Sequence, residues 1–299
     1  MKYEQARHKS LVRWLRWDLM APFLALLASI LWGTSDFLGG TFSRSRKVIP
    51  VVAASQALSL TIAIPLVLIT GAWRSQWFGK TGFLFYAIVA GLFGYLGLIL
   101  FYAALSRGTM GVVSPIASFG VLLPVVAGLV RGEVPTSLQI MGIAIAIIGG
   151  VLASGPEIRG EVGFKPVLLA LGAGMGFGTA QIFMGLGSQQ SAIMTMTMMR
   201  VTTFTVMGAV AIYLRSLGGL KFVDIKILWI IGAFDFSANV FLGIASHMGM
   251  WSVVMVIGSL YPIATILLAA KFHHERLKSI QYFGISAALL GVCFLALGN

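Results

Sequence analysis

Three charged side chains fall well inside apolar runs long enough to cross a bilayer: Asp36, Arg200 and Asp235. A charge at such a depth costs about 2.5–3.5 kcal/mol even on insertion scales. A partner, a water-filled cavity or a proton must offset that cost, so each of the three is a candidate for binding or proton exchange. Asn239 follows Asp235 by one helical turn, which puts both on one helix face. Gln56 and Gln181 add amides within apolar runs. The chemistry this set offers is recognition. The carboxylates would exchange protons or meet a substrate amine; Arg200 would meet a substrate carboxylate or neutralise an aspartate. A competing reading makes Arg200 half of a buried ion pair that holds two helices in register, worth little net stability.

No catalytic constellation appears, and an intramembrane enzyme would have only Asp36 and Asp235 as a dyad. There is no G-x-S-x-G, no H-E-x-x-H and no glycine loop leading into Lys-Ser/Thr. Cys293 is the single cysteine, which excludes an internal disulfide and a cysteine-cluster metal site. The run Met194, Met196, Met198, Met199 lacks the helical period of a metal conduit and reads as adaptable packing. His247 and the pair His273–His274 fall at span ends. The expectation is no enzyme, no cofactor and no metal.

The elements that hold these residues follow from composition. Of 299 residues, 58% are hydrophobic and 10% charged, with a mean hydropathy of +0.95. Soluble domains carry roughly 25% charged residues, and an outer-membrane barrel would show short alternating segments. Continuous apolar runs predict an all-α polytopic membrane protein. The net charge of +12 sits mainly in the amino-terminal tail and short loops, where it meets anionic headgroups of the lipid bilayer. No nucleic-acid partner is expected.

Residues 1–19 form a basic amphipathic tail with Trp14 and Trp17, read as a retained interfacial anchor. Ten spans follow at 20–42, 49–71, 82–105, 110–130, 137–154, 166–187, 191–214, 226–247, 250–270 and 279–297, each near the ~20 residues that cross the hydrocarbon. The longest connection, 155–165, divides the chain into 20–154 and 166–299.

The halves repeat. At a separation of 141 residues Gly91 matches Gly232, Gly108 matches Gly249 and Ser118 matches Ser259. At 142, Glu133, Ser137, Gln139, Gly142 and Gly149 match Glu275, Ser279, Gln281, Gly284 and Gly291. The polar pattern E-x3-S-x-Q-x2-G at the start of two spans carries this more than the glycines do. On the same spacing Gly94 and Leu98 stand where the second half has Asp235 and Asn239. Five spans per half is an odd number, so the second half is expected to lie inverted about a mid-membrane site.

Spans one and eight run in opposite directions, which places Asp36 and Asp235 roughly 9–14 Å below one membrane face at about 1.5 Å per residue. Gln56 enters from that face, and Arg200 lies near the midplane with Asn239. Trp32, Phe37, Tyr95, Phe177, Phe234 and Tyr261 are candidate cavity walls for an apolar or aromatic molecule. Pro115 and Pro262 fall in corresponding spans and are expected to break them. Glu133 and Glu275 are expected to cap spans five and ten. Counting Lys and Arg on the two faces leans against a cytoplasmic amino terminus, whereas the dense basic tail favours one; charge leaves orientation open.

W-G-T-S-D-F-L-G-G from Trp32 to Gly40, G-x-x-D-x-x-A-N from Gly232 to Asn239 and S-L-Y-P-I-A-T from Ser259 to Thr265 resemble EamA-type permeases of the drug/metabolite transporter superfamily. The paired segments Glu133–Gly149 and Glu275–Gly291 are similar to the end of each EamA repeat. The resemblance implies ten helices in two inverted five-helix repeats, cytoplasmic termini in the inner membrane, and alternating access. It further implies a central cavity lined by spans 1, 3, 4, 6, 8 and 9. One departure is GFGTAQIF, from Gly176 to Phe183, where Gln181 stands in place of Asp36. The expectation is a secondary exporter of a small amphipathic metabolite, an amino acid or relative, coupled to protons through Asp36 and Asp235. The alternatives are a lipid-linked or phosphorylated substrate, and a sensor or assembly factor that transports nothing.

Overall fold

The computed structural model describes residues 19–74, 76–79, 82–108, 110–154, 164–214, 218–273 and 277–298. The basic tail before residue 19, most of the 155–165 connection, His274 and Glu275 lie outside the described residues. Every regular element among those described is helical. In chain order they are α1 (Met20–Phe42), α2 (Val48–Thr70), α3 (Leu84–Leu105), α4 (Met110–Ser118) and α5 (Leu122–Val130). Then come α6 (Ser137–Ser154), α7 (Phe164–Leu214), α8 (Ile225–Met248), α9 (Trp251–Gly258), α10 (Tyr261–Phe272) and α11 (Ser279–Leu297).

Eight stretches of the described chain are long and apolar enough to cross a membrane, and Ser137–Ala153 is a shorter apolar helix. Large apolar side chains such as Leu68, Ile69, Phe85 and Ile148 stay exposed on the outer surfaces. In water such a surface would aggregate; in a bilayer it is the solvated face. The chain is a multi-pass membrane protein.

Two expected spans meet without a loop. α7 runs on from Phe164 to Leu214, but Ser191 within it has extended backbone angles (φ −163°, ψ 107°). The Ser191 hydroxyl accepts the Met194 amide hydrogen at 3.3 Å and so caps the second limb. α4 ends at Ser118, three residues beyond Pro115, and a 3-10 turn over Phe119–Val121 leads into α5. α9 ends at Gly258, and α10 opens at Tyr261 with Pro262 in its first turn. The two interruptions therefore fall at the matched serines, Ser118 and Ser259, beside the prolines rather than on them.

Glycine contacts show how the repeats meet. A Cβ on Gly149 would strike the Ala288 backbone, and one on Gly291 would strike that of Ala146. Since 146 matches 288 and 149 matches 291, one pair of positions meets twice with roles exchanged. The same reciprocity holds where Gly91 abuts the Met199 carbonyl and Gly232 that of Ser55. It holds again where Gly33 abuts the Tyr261 carbonyl and Gly178 that of Gly120. Reciprocal contact is what a two-fold relation produces, and small residues allow such close backbone approach in lipid.

The repeated glutamate does something other than expected. The Glu133 carboxylate accepts the amide hydrogens of Trp251 at 2.5 Å and Ser252 at 2.9 Å, so it caps α9, in the other repeat, and not α6. The start of α6 is closed by the repeat's glutamine: Gln139 Oε1 accepts the Thr136 amide at 2.8 Å. Gln281 Oε1 does the same for Lys278 at 2.8 Å before α11. The motif's conserved spacing thus holds one cap that reaches across repeats and one that stays local.

Candidate functional site

α1 presents Trp32 and Asp36 one turn apart, which places them on the same face. α8 does likewise with Asp235 and Asn239, and these four side chains converge on one cavity. The space it encloses, open solvent at its mouth included, is about 770 Å³. Gln56 of α2, Arg200 and Gln181 of α7, Tyr95 of α3, Phe177 of α7 and Tyr261 of α10 complete the candidate set that lines it. The lining is organised by matched positions: Gly94 with Asp235, Leu98 with Asn239, Asp36 with Gln181, Trp32 with Phe177, Ser118 with Ser259. Gly94 and Leu98 were visible in the sequence only as apolar counterparts, and the 141-residue spacing was the signal that placed them.

A polar triangle occupies the side of α2, α7 and α8. Arg200 Nη2 donates to Asp235 Oδ2 at 2.7 Å, and Gln56 Nε2 donates to the same oxygen at 2.9 Å. Arg200 Nη1 donates to Gln56 Oε1 at 2.5 Å, closing the ring. Asn239 Nδ2 donates to the Asp235 carbonyl at 2.6 Å and, more weakly, to Oδ1 at 3.3 Å. The guanidinium also lies 5.8 Å from the centroid of Phe236. Arg200 therefore neutralises Asp235. Helices 2 and 7 of the expected ten contribute to the cavity, beyond the six that the resemblance implies.

Asp36 stands apart. It is 7% exposed, faces the cavity and makes no hydrogen bond or ion pair with any described residue. Its neighbours fasten the scaffold instead. Ser35 Oγ donates to the Ile231 carbonyl at 3.0 Å, tying α1 to α8. Thr265 Oγ1 donates to the Gly33 carbonyl at 3.1 Å, tying α10 to α1. Four residues that line the cavity each carry a buried polar atom without a partner: Tyr95 OH, Tyr261 OH, Gln181 Oε1 and Arg200 Nε.

Two expected wall residues lie elsewhere. Phe234 is half-buried and absent from the cavity, because it precedes Asp235 by about 100° of helix rotation. Phe236 is the buried ring of that helix, packed at Arg200. Phe37 packs on Phe272 and His273, with centroids 5.8 and 5.1 Å apart, toward the end of α1. The aromatic walls are coupled: Trp32 meets Tyr261 edge-on at 6.4 Å, and Phe101 meets Phe177 at 5.6 Å and Tyr261 at 6.1 Å from behind.

Beyond the cavity, at the end of α1 and the start of α8, Arg46 grips Asp224 through Nε at 3.0 Å and Nη2 at 3.1 Å. The Asp224 carboxylate raises the Arg46 pKa, through these hydrogen bonds first and its charge second. No group of three or more potential metal ligands occurs among the described residues.

The model of the EamA-like transporter family matches the chain twice, over residues 19–155 and 164–297. The chain belongs to this family. Its two matches are the two repeats whose glycines meet reciprocally, and they place the protein in the drug/metabolite transporter superfamily. A crystal structure described only as that of a protein has the same fold, with a TM-score of 0.71 at 16% identity over 93% of this chain and 96% of its own. No curated protein sequence matches. For an EamA-like transporter, a cavity lined by both repeats is where a small molecule would sit within the bilayer.

Proposed function

We propose that this EamA-like protein is a secondary transporter that exports a small amphipathic metabolite, an amino acid or related compound, by alternating access. In this reading ten helices cross the inner membrane as two inverted five-helix repeats, with both termini in the cytoplasm. The reciprocal glycine contacts support a two-fold relation between the repeats, and an odd number of crossings in each would make that relation an inversion. Splitting α7 at Ser191 and counting α6 gives the ten crossings. The observation that carries the function is the cavity itself: matched positions of both repeats line it, and it holds buried polar atoms that no protein group satisfies. Rocking one repeat against the other would expose such a site to either face.

Proton exchange enters as part of this proposal through Asp36 and Asp235. Asp36 is the stronger candidate because Arg200 already balances Asp235. A lipid-linked or phosphorylated substrate finds less support, for the same reason: the cavity's one cation among the described residues is spent. A thermal-shift screen of purified protein against amino acids, nucleobases and cationic compounds, followed by liposome flux of the hits, tests the reading. Substrate-dependent flux is expected; stabilising ligands that are never moved, with a stable copurifying partner, would favour a sensor or assembly factor instead.

A further inference from the structure

The charges and orphan atoms of the cavity select among substrates. Arg200 and Asp235 cancel, and Gln56 and Asn239 bond to the pair, leaving only Arg200 Nε without a partner. That leaves Asp36 as one buried carboxylate without a counter-ion. Among the unpartnered atoms nearby, Gln181 Oε1 accepts only, and the Tyr95 and Tyr261 hydroxyls accept or donate. Arg200 Nε, Gln181 Nε2 and Trp32 Nε1 are restricted to donating. No cation balances the Asp36 carboxylate, so the ligand matched to it brings N–H donors and a positive charge. Trp32, Tyr95, Phe177 and Tyr261 surround this carboxylate's cavity with ring faces and edges, surfaces that attract both a cation and an apolar body.

Resting on the transporter reading, we propose that the cavity takes a protonated primary or secondary amine carrying a small aromatic or apolar body. Asp36 is its counter-ion, and Gln181 with the two tyrosine hydroxyls receives its remaining N–H groups. A proton on Asp36 neutralises the same charge, so proton and amine occupy the site in turn. The zwitterionic form of an amino acid is the poorer ligand. Its carboxylate would need a free cation, and Arg200 offers only Nε while bonded to Asp235 and Gln56. The titratable and charged groups around Asp36 are Asp235 and Arg200, Tyr95 and Tyr102 of α3, Tyr261 of α10, and His273, which follows α10 and packs on Phe37.

Four probes that share a phenylethyl body and differ in charge test this: 2-phenylethylamine, L-phenylalanine, 3-phenylpropionate and 2-phenylethanol. Binding to purified full-length protein is measured by calorimetry between pH 5 and pH 8. The amine is expected to bind at least tenfold tighter than the other three at pH 8 and to weaken as the pH falls. Asp36→Asn should reduce amine affinity at least tenfold, to the level of the alcohol, and remove the pH dependence. Asp36→Glu should recover most of the affinity. An unfolding temperature in detergent equal to that of the wild type shows that Asp36→Asn is folded. Phenylalanine or phenylpropionate binding as tightly as the amine overturns the proposal, as does an amine affinity untouched by Asp36→Asn, or the absence of binding by all four. Flux in liposomes separates this from the transporter reading. Phenylalanine bound best and moved sinks the amine assignment alone, whereas the amine bound as expected and never moved sinks transport alone.

Discussion

Gln56 and Arg200 occupy equivalent places in the two repeats and hydrogen-bond to each other. Gly91 abuts the carbonyl of Met199, Gly232 abuts that of Ser55, and the residue after each carbonyl is Arg200 or Gln56. A position that meets its own counterpart lies on the axis between repeats. Two guanidinia there would repel and two amides would carry no charge. The pair of different residues supplies one cation, and Asp235 consumes it, while the matched Gly94 supplies nothing. The duplication has thereby become electrically one-sided, and Asp36 is left over.

Removing one member of the Arg200–Asp235 pair strands a buried charge. Arg200→Gln alone should destabilise the protein by about 3–5 kcal/mol, as should Asp235→Asn, and the double variant should lose less than the sum by about 0.5–3 kcal/mol. Unfolding in detergent, read by tryptophan fluorescence, provides the cycle; strict additivity would mean that the two side chains do not depend on each other.

The close approaches between repeats give a contrast within one residue type. Gly33→Ala and Gly178→Ala each drive a methyl into a backbone carbonyl and should lower the unfolding temperature by several degrees. Gly208 has open space around it within α7, so Gly208→Ala should stabilise by about 0.5–1 kcal/mol through helix propensity.

Glu133 bonds the first turn of α9 from the opposite repeat. Glu133→Ala should cost about 1–2 kcal/mol as a lost cap, with Glu133→Gln in between because its amide oxygen still accepts one hydrogen bond. If Glu133→Ala instead frayed the start of α6, by hydrogen exchange, the cap would belong to its own repeat.

Arg46 and Asp224 clasp the ends of α1 and α8. Arg46→Glu should lower the unfolding temperature, and the reversed pair Arg46→Glu/Asp224→Arg should recover it. Failure of the reversal would show that Asp224 acts mainly through its bond to the Lys221 amide, at 2.8 Å.

Much of this site could be read from the sequence, because burying polar atoms in apolar helices is expensive enough to mark them one by one. Asp36, Gln56, Gln181, Arg200, Asp235 and Asn239 all line the cavity. Which acid is paired could not be read, since helix periodicity assigns a face but not the neighbour it meets. Asp36 and Asp235 looked alike by depth and differ only because α2 and α7 pack against α8. Phe234 shows the related limit: one residue of helix rotation separates a cavity wall from a packing position, and span boundaries good to a few residues do not resolve it. The break between spans 166–187 and 191–214 was read to within a few residues of Ser191, but not that one extended residue makes it, because a single residue leaves no turn composition behind. Glu133 was assigned to the helix nearest in sequence, while the helix end that needed an acceptor came from the other repeat.

Uptake of radiolabelled 2-phenylethylamine into liposomes holding purified protein, with an acidic interior and an alkaline exterior, tests the role of Asp36 most directly. Amine should enter wild-type vesicles at an initial rate above that of protein-free controls, which take up the neutral base by diffusion alone; the protein-dependent rate should vanish when the pH gradient is dissipated and with Asp36→Asn. An initial rate for Asp36→Asn equal to that of the wild type would contradict Asp36 as the site where proton and substrate alternate.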